Sequence, residues 1–390
     1  MKYITIILIC LLLVGCKEKT YTEIPDEIKI ETINTVEVHS NTYLYDLIKF
    51  ENAEILSDNY RISTSTLGTS DLEIFYRYNK KKHVYNLKLT IEDTTLPKIL
   101  GSTIRTIQLN HSDDLCNLIM YGDNHDRNPK CIIEGSYDVK KTGSYDLKYI
   151  ITDSSNNKSE HNLVLHVVKP SNNTTSSTKS TLAFSDILDK YQNDRAEVGI
   201  DVSKWQQNID FNKVKAAGAT FVMMRIGVQR YVGAELELDE YYLQNIKKAK
   251  EAGLKVGVYF YSIAVNKEES IKQAKWVIEK LNGTKLDLPI VFDWESWSWW
   301  NLMELSFYDI NDIADSFLDT ITENGYKAML YGSKYYLENI WENNKDYPVW
   351  LAHYTNETNY NGEYIMWQLS DSGTIPGVNG NVDLNILYNH

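Results

Sequence analysis

The chain predicts a multidomain protein in which two small all-β modules precede an irregular eight-stranded β/α barrel. Three observations predict it. At 390 residues the chain is too long for one ordinary core. The tract 171–181, SNNTTSSTKST, holds no apolar side chain and reads as a flexible linker, set at 170–185. Across it the hydrophobic grammar changes from strict alternation to apolar runs separated by helical stripes.

The first residues, MKYITIILICLLLVGC, carry one Lys and then an apolar run from Ile4 to Val14. That run is short for a bilayer span and reads as a secretory signal over 1–16. Its end, Leu13-Val14-Gly15-Cys16, resembles the lipobox of bacterial lipoproteins. The resemblance implies a lipid on Cys16 and an extracytoplasmic protein anchored to the cell membrane. With Cys10 lost alongside the signal, Cys116 and Cys131 remain. They either close a loop worth about 3 kcal/mol in chain entropy or stay as two buried thiols. No CxxC or Cys/His cluster suggests a metal, and no cofactor motif is present.

Between the signal and the linker, Asp71-Leu72-Glu73-Ile74-Phe75-Tyr76 and Asn86-Leu87-Lys88-Leu89-Thr90-Ile91 alternate with period two, which predicts half-buried strands. The stretch from Leu67 repeats from Thr142 at an offset of 75 residues, each copy reading as a turn, a strand, a polar hairpin and a last strand. Two tandem β-sandwich modules follow, 22–93 and 96–169. The second, with GSYDVKKTGSYDLKYIITDSSNNKSEHNLVLHV, resembles the immunoglobulin-like modules of bacterial surface proteins. A stalk is the favoured role over a ligand-binding one, since no aromatic or charged cluster stands out.

From residue 186 to 390, apolar runs predict eight strands: Gly199 to Val202, Phe221 to Val228, Val256 to Ile263, Pro289 to Asp293, Ala328 to Tyr331, Val349 to Tyr354, Ile365 to Leu369 and Val382 to Leu387. Helical stripes lie between the early ones, as in Asp239 to Ala252 and Glu268 to Leu281. Strand and helix in alternation imply a parallel sheet closed into a barrel. The later connections are short or rich in Gly and Asn, so about five helices are expected where a regular barrel has eight. This half holds 19 Lys and Arg against 30 Asp and Glu, which argues against a nucleic-acid partner.

In such a barrel the C-terminal strand ends meet at one mouth. Asp201 ends the first strand and Asp293 and Glu295 the fourth, Asp383 lies near the start of the eighth, and the four carboxylates are expected to converge. Asp293 and Glu295, two apart in LPIVFDWES, point to one face of an extended chain with Cα atoms about 6.5 Å apart. Two carboxylates so close cannot both stay ionised, and one acid beside one base suits glycosidic bond cleavage. Asp71 and Glu73 share the spacing but sit on an alternating, exposed strand. At the barrel, Trp294, Trp297, Trp299 and Trp300 crowd the exit and offer stacking faces for sugar rings.

The segments VGIDVSKWQQNIDFNKVKAAGATFVMMRIG, GLKVGVYFYS, LPIVFDWES, AMLYGSKYYL, VWLAHY and IMWQLSDSGTIPGVNGNVDLN together resemble glycoside hydrolase family 25, lysozyme-type muramidases with an irregular, TIM-like barrel. The resemblance implies that Glu295 is the general acid and Asp293 its partner, either attacking the sugar or steadying an oxazolinium. Asp201 and Asp383 match two further acids of the family groove. Tyr331, Tyr354, Trp367, Trp350, Gln368 and Trp297 are candidates to line it. Arg225 reads as a buried cation paired with a carboxylate, and His353 as a satisfied rim histidine.

The expected function is cleavage of the β-1,4 bond between N-acetylmuramic acid and N-acetylglucosamine, without metal or cofactor. Peptidoglycan glycan strands and the membrane are the expected partners of a monomer. A non-catalytic wall-binding lipoprotein and a hydrolase of another polysaccharide such as chitin stay open as alternatives.

Overall fold

The computed structural model describes residues 19–112, 114–170, 181–342 and 347–388. The signal segment with Cys16 and residues 171–180 of the linker lie outside them. The chain divides into two compact units, Met1–Thr95 and Leu96–His390.

In the first unit, strands Gly68–Tyr78 and Lys81–Glu92 pair antiparallel, with the short strand Thr35–Glu37 parallel to the latter. Leu44, Ile74, Leu87 and Leu89 are buried among its apolar side chains. The repeat reappears 75 residues later: Gly143–Thr152 pairs with Lys158–Val168, and Ile104–Gln108 lies parallel to that strand. Cys116 and Cys131 are joined, with Cα atoms 6.0 Å apart.

The barrel strands are β1 (Ala196–Val202), β2 (Phe221–Gln229), β3 (Lys255–Ser262), β4 (Ile290–Trp294), β5 (Ala328–Ser333), β6 (Val349–Ala352), β7 (Met366–Thr374) and β8 (Val382–Tyr388). β1 to β7 run parallel in order, and β8 closes the ring by pairing antiparallel with both β7 and β1. The connection Ile375 to Asn381 has no room for a crossover helix, so it can only fold back. Gly377, at φ 98°, makes that turn: a Cβ there would lie 2.4 Å from the Asp210 carbonyl.

Helix α1 (Phe184–Tyr191) precedes the ring; α2 (Phe211–Ala216), α3 (Tyr242–Glu251), α4 (Lys267–Leu281), α5 (Phe307–Glu323) and α6 (Lys334–Asn339) connect β1 through β6. Leu182–Ala183 pair with Gly373–Thr374, so barrel structure begins inside the segment expected to be linker.

Alternation sorts each strand's residues. Val198, Ile200, Val258, Phe260, Phe292 and Leu330 face out against the helices. Phe221, Met223, Val291, Met329, Trp350 and Met366 fill the interior as an apolar plug. Asp201, Arg225, Tyr259, Asp293, Tyr331 and Gln368 follow one or more steps further along the same strands, so a polar layer rests on that plug at the mouth.

The second β module is no free stalk. Its residues Leu100 and Met120 join the apolar cluster of the barrel's helical side. Trp300 Nε1 donates to the Tyr121 carbonyl at 2.9 Å, the Phe307 amide donates to the Asp123 carbonyl at 2.7 Å, and Arg127 forms two 2.8 Å bonds with Asp309. Charge-assisted bidentate pairing adds orientation to apolar burial.

Candidate active site at the barrel mouth

Asp201 ends β1, and the antiparallel β8 sets Asp383 directly across from it in register. A parallel eighth strand would carry its start to the opposite end of the barrel. Asp201 is buried; its Oδ2 accepts from Asn385 Nδ2 at 2.7 Å and Gln368 Nε2 at 2.9 Å. Burial raises its pKa, and those two donors together with Asp383 oppose the rise. Asp383 is pushed up to about 9, first by burial, then by the Asp201 charge and the hydrogen bond between them. At neutral pH Asp383 therefore holds a proton, and a hydrogen bond joins it to Asp201, whose own pKa stays raised by burial.

Asp293 points inward from the last turn of β4, beside Tyr261 of β3. It is buried, and its Oδ1 has no hydrogen-bond partner among the described residues. Burial lifts its pKa well above the ordinary range, and the charges of Glu295 and Asp201 add to that while Arg225 opposes it. Glu295 stands just past the strand, where a 3-10 turn Ser296–Leu302 begins. The residue is exposed to solvent. Its pKa is raised by partial withdrawal from water, relieved by a hydrogen bond from the Tyr331 hydroxyl and increased again by Asp201. Both acids are raised, so the two resist ionising together: Asp293 sits in the drier place and Glu295 at the accessible one.

A polar scaffold holds these groups. The Tyr331 hydroxyl gives its one proton either to Gln368 Oε1 at 2.9 Å or to Glu295, Tyr354 donates to the same Gln368 oxygen at 3.1 Å, and Gln368 passes its amide to Asp201. Trp350 Nε1 donates to Asn385 Oδ1 at 2.9 Å, orienting the amide that holds Asp201 from the other side. Arg225 binds Asp239 through Nε at 2.8 Å and Nη2 at 2.7 Å. His353 Nδ1 meets the Thr358 hydroxyl at 2.9 Å, and burial lowers its pKa.

The structure thus brings Asp201, Asp293, Glu295, Asp383, Tyr331, Tyr354 and Gln368 together. Three expected groove residues lie elsewhere. Trp350 is inside the barrel plug. Trp367 neighbours the inward Met366 and Gln368 and so must face out; it packs edge-on against Tyr191 and donates to the His353 carbonyl at 2.8 Å. Trp297 is buried, stacked on Tyr336 at 4.0 Å between ring centres. The expected indole wall dissolves likewise: Trp294 faces out and donates to the Ala264 carbonyl at 3.1 Å, and Trp300 is buried against the β module.

Exposed rings do follow the strands at the mouth: Trp205 after β1, Tyr231 after β2, Trp299 after β4 and Tyr354 after β6, exposed by 73, 66, 60 and 53%. Large rings left to water on several neighbouring loops suit stacking on a polar ligand. Sequence reasoning missed Trp205 and Tyr231, although both sit within a few residues of a strand's C-terminal end. It also missed Asn385, whose only signal was a polar residue within an apolar run.

Residues 200–378 match the family described as Glycosyl hydrolases family 25. Over 192 residues the chain is 30% identical to the autolytic lysozyme of Clostridium acetobutylicum, covering 48% of this chain and 54% of that protein. Over 193 residues it is 29% identical to the uncharacterized protein YegX of Escherichia coli (strain K12), covering 48% and 68%. Among solved structures, a family 25 glycosyl hydrolase from Bacillus anthracis is similar at 21% identity with a TM-score of 0.44, covering 52% of this chain and 91% of that one.

Proposed function

We infer that residues 200–378 form a family 25 glycoside hydrolase domain and that the barrel mouth cleaves peptidoglycan glycan between N-acetylmuramic acid and N-acetylglucosamine. The observation that carries this reading is the pair Asp293 and Glu295, one buried and one reachable, beside Asp201 and Asp383 set opposite each other at the same mouth. The family match over the same residues and the lysozyme relative support it.

A glycan seated on the exposed rings displaces water from Glu295, which favours its protonated form. Glu295 then donates that proton to the glycosidic oxygen. Asp293, left ionised, faces the positive charge that develops at the anomeric carbon. Asp201, bound by Gln368 and Asn385, borders the same region, and those two donors favour its charged form. Water then bonds to the anomeric carbon and gives its proton to the ionised Glu295, which restores the acid. The Tyr331 hydroxyl steadies Glu295 whenever it is ionised.

We further propose that a lipid on Cys16 holds the protein outside the cell at its membrane, because the acidic barrel half has no net attraction for an anionic wall. Mass spectrometry of products from peptidoglycan and from chitin oligomers tests the activity. Muropeptides ending in reducing N-acetylmuramic acid are expected from the wild type and none from Glu295→Gln. Cleavage of chitin alone would reassign the substrate, and binding without any cleavage would leave a wall-binding lipoprotein.

A further inference from the structure

We propose that the second β module is a working part of the active site: its disulfide-closed loop positions Glu295. This rests on the reading of Glu295 as the proton donor.

Glu295 lies at the start of the 3-10 turn Ser296–Leu302, and the Trp297 amide donates back to its carbonyl at 2.8 Å. Its carboxylate is steadied by Tyr331, while its backbone follows wherever that turn is fixed. The turn is held from two sides. Trp297 is sunk in the barrel's own side chains. Trp300 and Asn301 are held by the β module. Trp300 Nε1 donates to the Tyr121 carbonyl at 2.9 Å; Asn301 Nδ2 donates to the Ile119 carbonyl at 2.8 Å, and its Oδ1 accepts from the Tyr121 amide at 3.4 Å. Just past the turn, the Phe307 amide donates to the Asp123 carbonyl and Asp309 takes the Arg127 fork.

All of these module residues, Ile119 to Arg127, fall within the loop closed by Cys116 and Cys131. The loop's shape is set internally as well, since Asp123 Oδ1 accepts from the His125 and Asp126 amides at 2.9 and 2.8 Å. At its centre Gly122 leaves no room: a Cβ there would lie 2.7 Å from Phe307 Cζ and 2.9 Å from Trp300 Nε1. Such a fit ties the module's geometry to the turn that begins at the residue proposed to meet the glycosidic oxygen. A displacement of about 1 Å at a reacting group can cost on the order of 100-fold in rate.

The test uses the full chain carrying Gly122→Val, Asn301→Ala, or Cys116→Ser with Cys131→Ser, assayed on soluble glycan fragments at 25 °C and over a range of pH. The expected result is a fall in kcat on the order of 10-fold or more with KM within about twofold. The alkaline limb of kcat should also move to lower pH, because a loosened Glu295 meets more water and loses its proton sooner. A purely structural module would lower the melting temperature and leave kcat and the limb unmoved; that result in folded Asn301→Ala and in the cysteine variant overturns the proposal. Should Gly122→Val not fold, these two variants decide. Glu295→Gln run alongside separates the two readings, since retained turnover there refutes the catalytic role itself.

Discussion

Asp383→Asn should stabilise the protein at pH 8 and leave it unchanged near pH 4. The carboxyl group moves from an ordinary 3.8 to about 9 on folding, chiefly through burial. A raised acid is a burden that grows with pH: well below 3.8 the group is protonated in both states and near 4 the difference is still small, whereas at pH 8 the unfolded chain gives up a proton that the folded one must keep. Stability therefore falls as pH climbs from about 4 to about 9. Titrating alone, the group would account for about 7 kcal/mol. Asp201 shares the same proton and part of the side chain meets water, so about 2 kcal/mol is the expected gain. The amide keeps a donor aimed at Asp201 and removes the titration. Urea unfolding at pH 4, 6 and 8 measures it, with the gain read from the midpoint at unchanged slope. A loss at pH 8, or an equal gain at all three values, would refute a shared proton between Asp201 and Asp383.

Trp297→Ala should cost about 3–5 kcal/mol of stability, seen as a lower melting temperature, because it empties a buried site and not a sugar platform. Trp205→Ala and Tyr231→Ala should raise KM for long glycans several-fold and leave the melting temperature in place, since both rings are exposed. Asp239→Asn strands the Arg225 cation inside the barrel and should destabilise by about 3–5 kcal/mol in the same unfolding assay. Cys16→Ala should move the protein from the membrane fraction to the soluble one on cell fractionation, reporting directly on the lipid.

The sequence made strands and acids legible because both depend on local pattern. Val291, Asp293 and the apolar residues around them declare a strand buried on both faces, and a strand ending in carboxylates declares a mouth. Direction was less legible. Val382 to Leu387 looks the same whether it runs parallel or antiparallel, and only the short connection before it settles the matter. Facing was available but unused: Trp367 and Gln368 are adjacent, so one had to leave the groove. The indoles misled because Trp serves cores and sugar platforms alike; Trp297 and Trp300 found partners in Tyr336 and Tyr121, far along the chain. The docking of the second module was illegible for the same reason, as it depends on loops that meet across about 180 residues.

The reversed last strand has a consequence for when the enzyme comes into being. Asn385 reaches Asp201 across 184 residues of chain, and Asp383 arrives on that same strand. Until it inserts, the ring stands open, Asp201 lacks two of its anchors, and no partial chain can possess the acid set. On the proposed function, the cleaving site is thereby absent while the chain is incomplete and forms only when the ring closes.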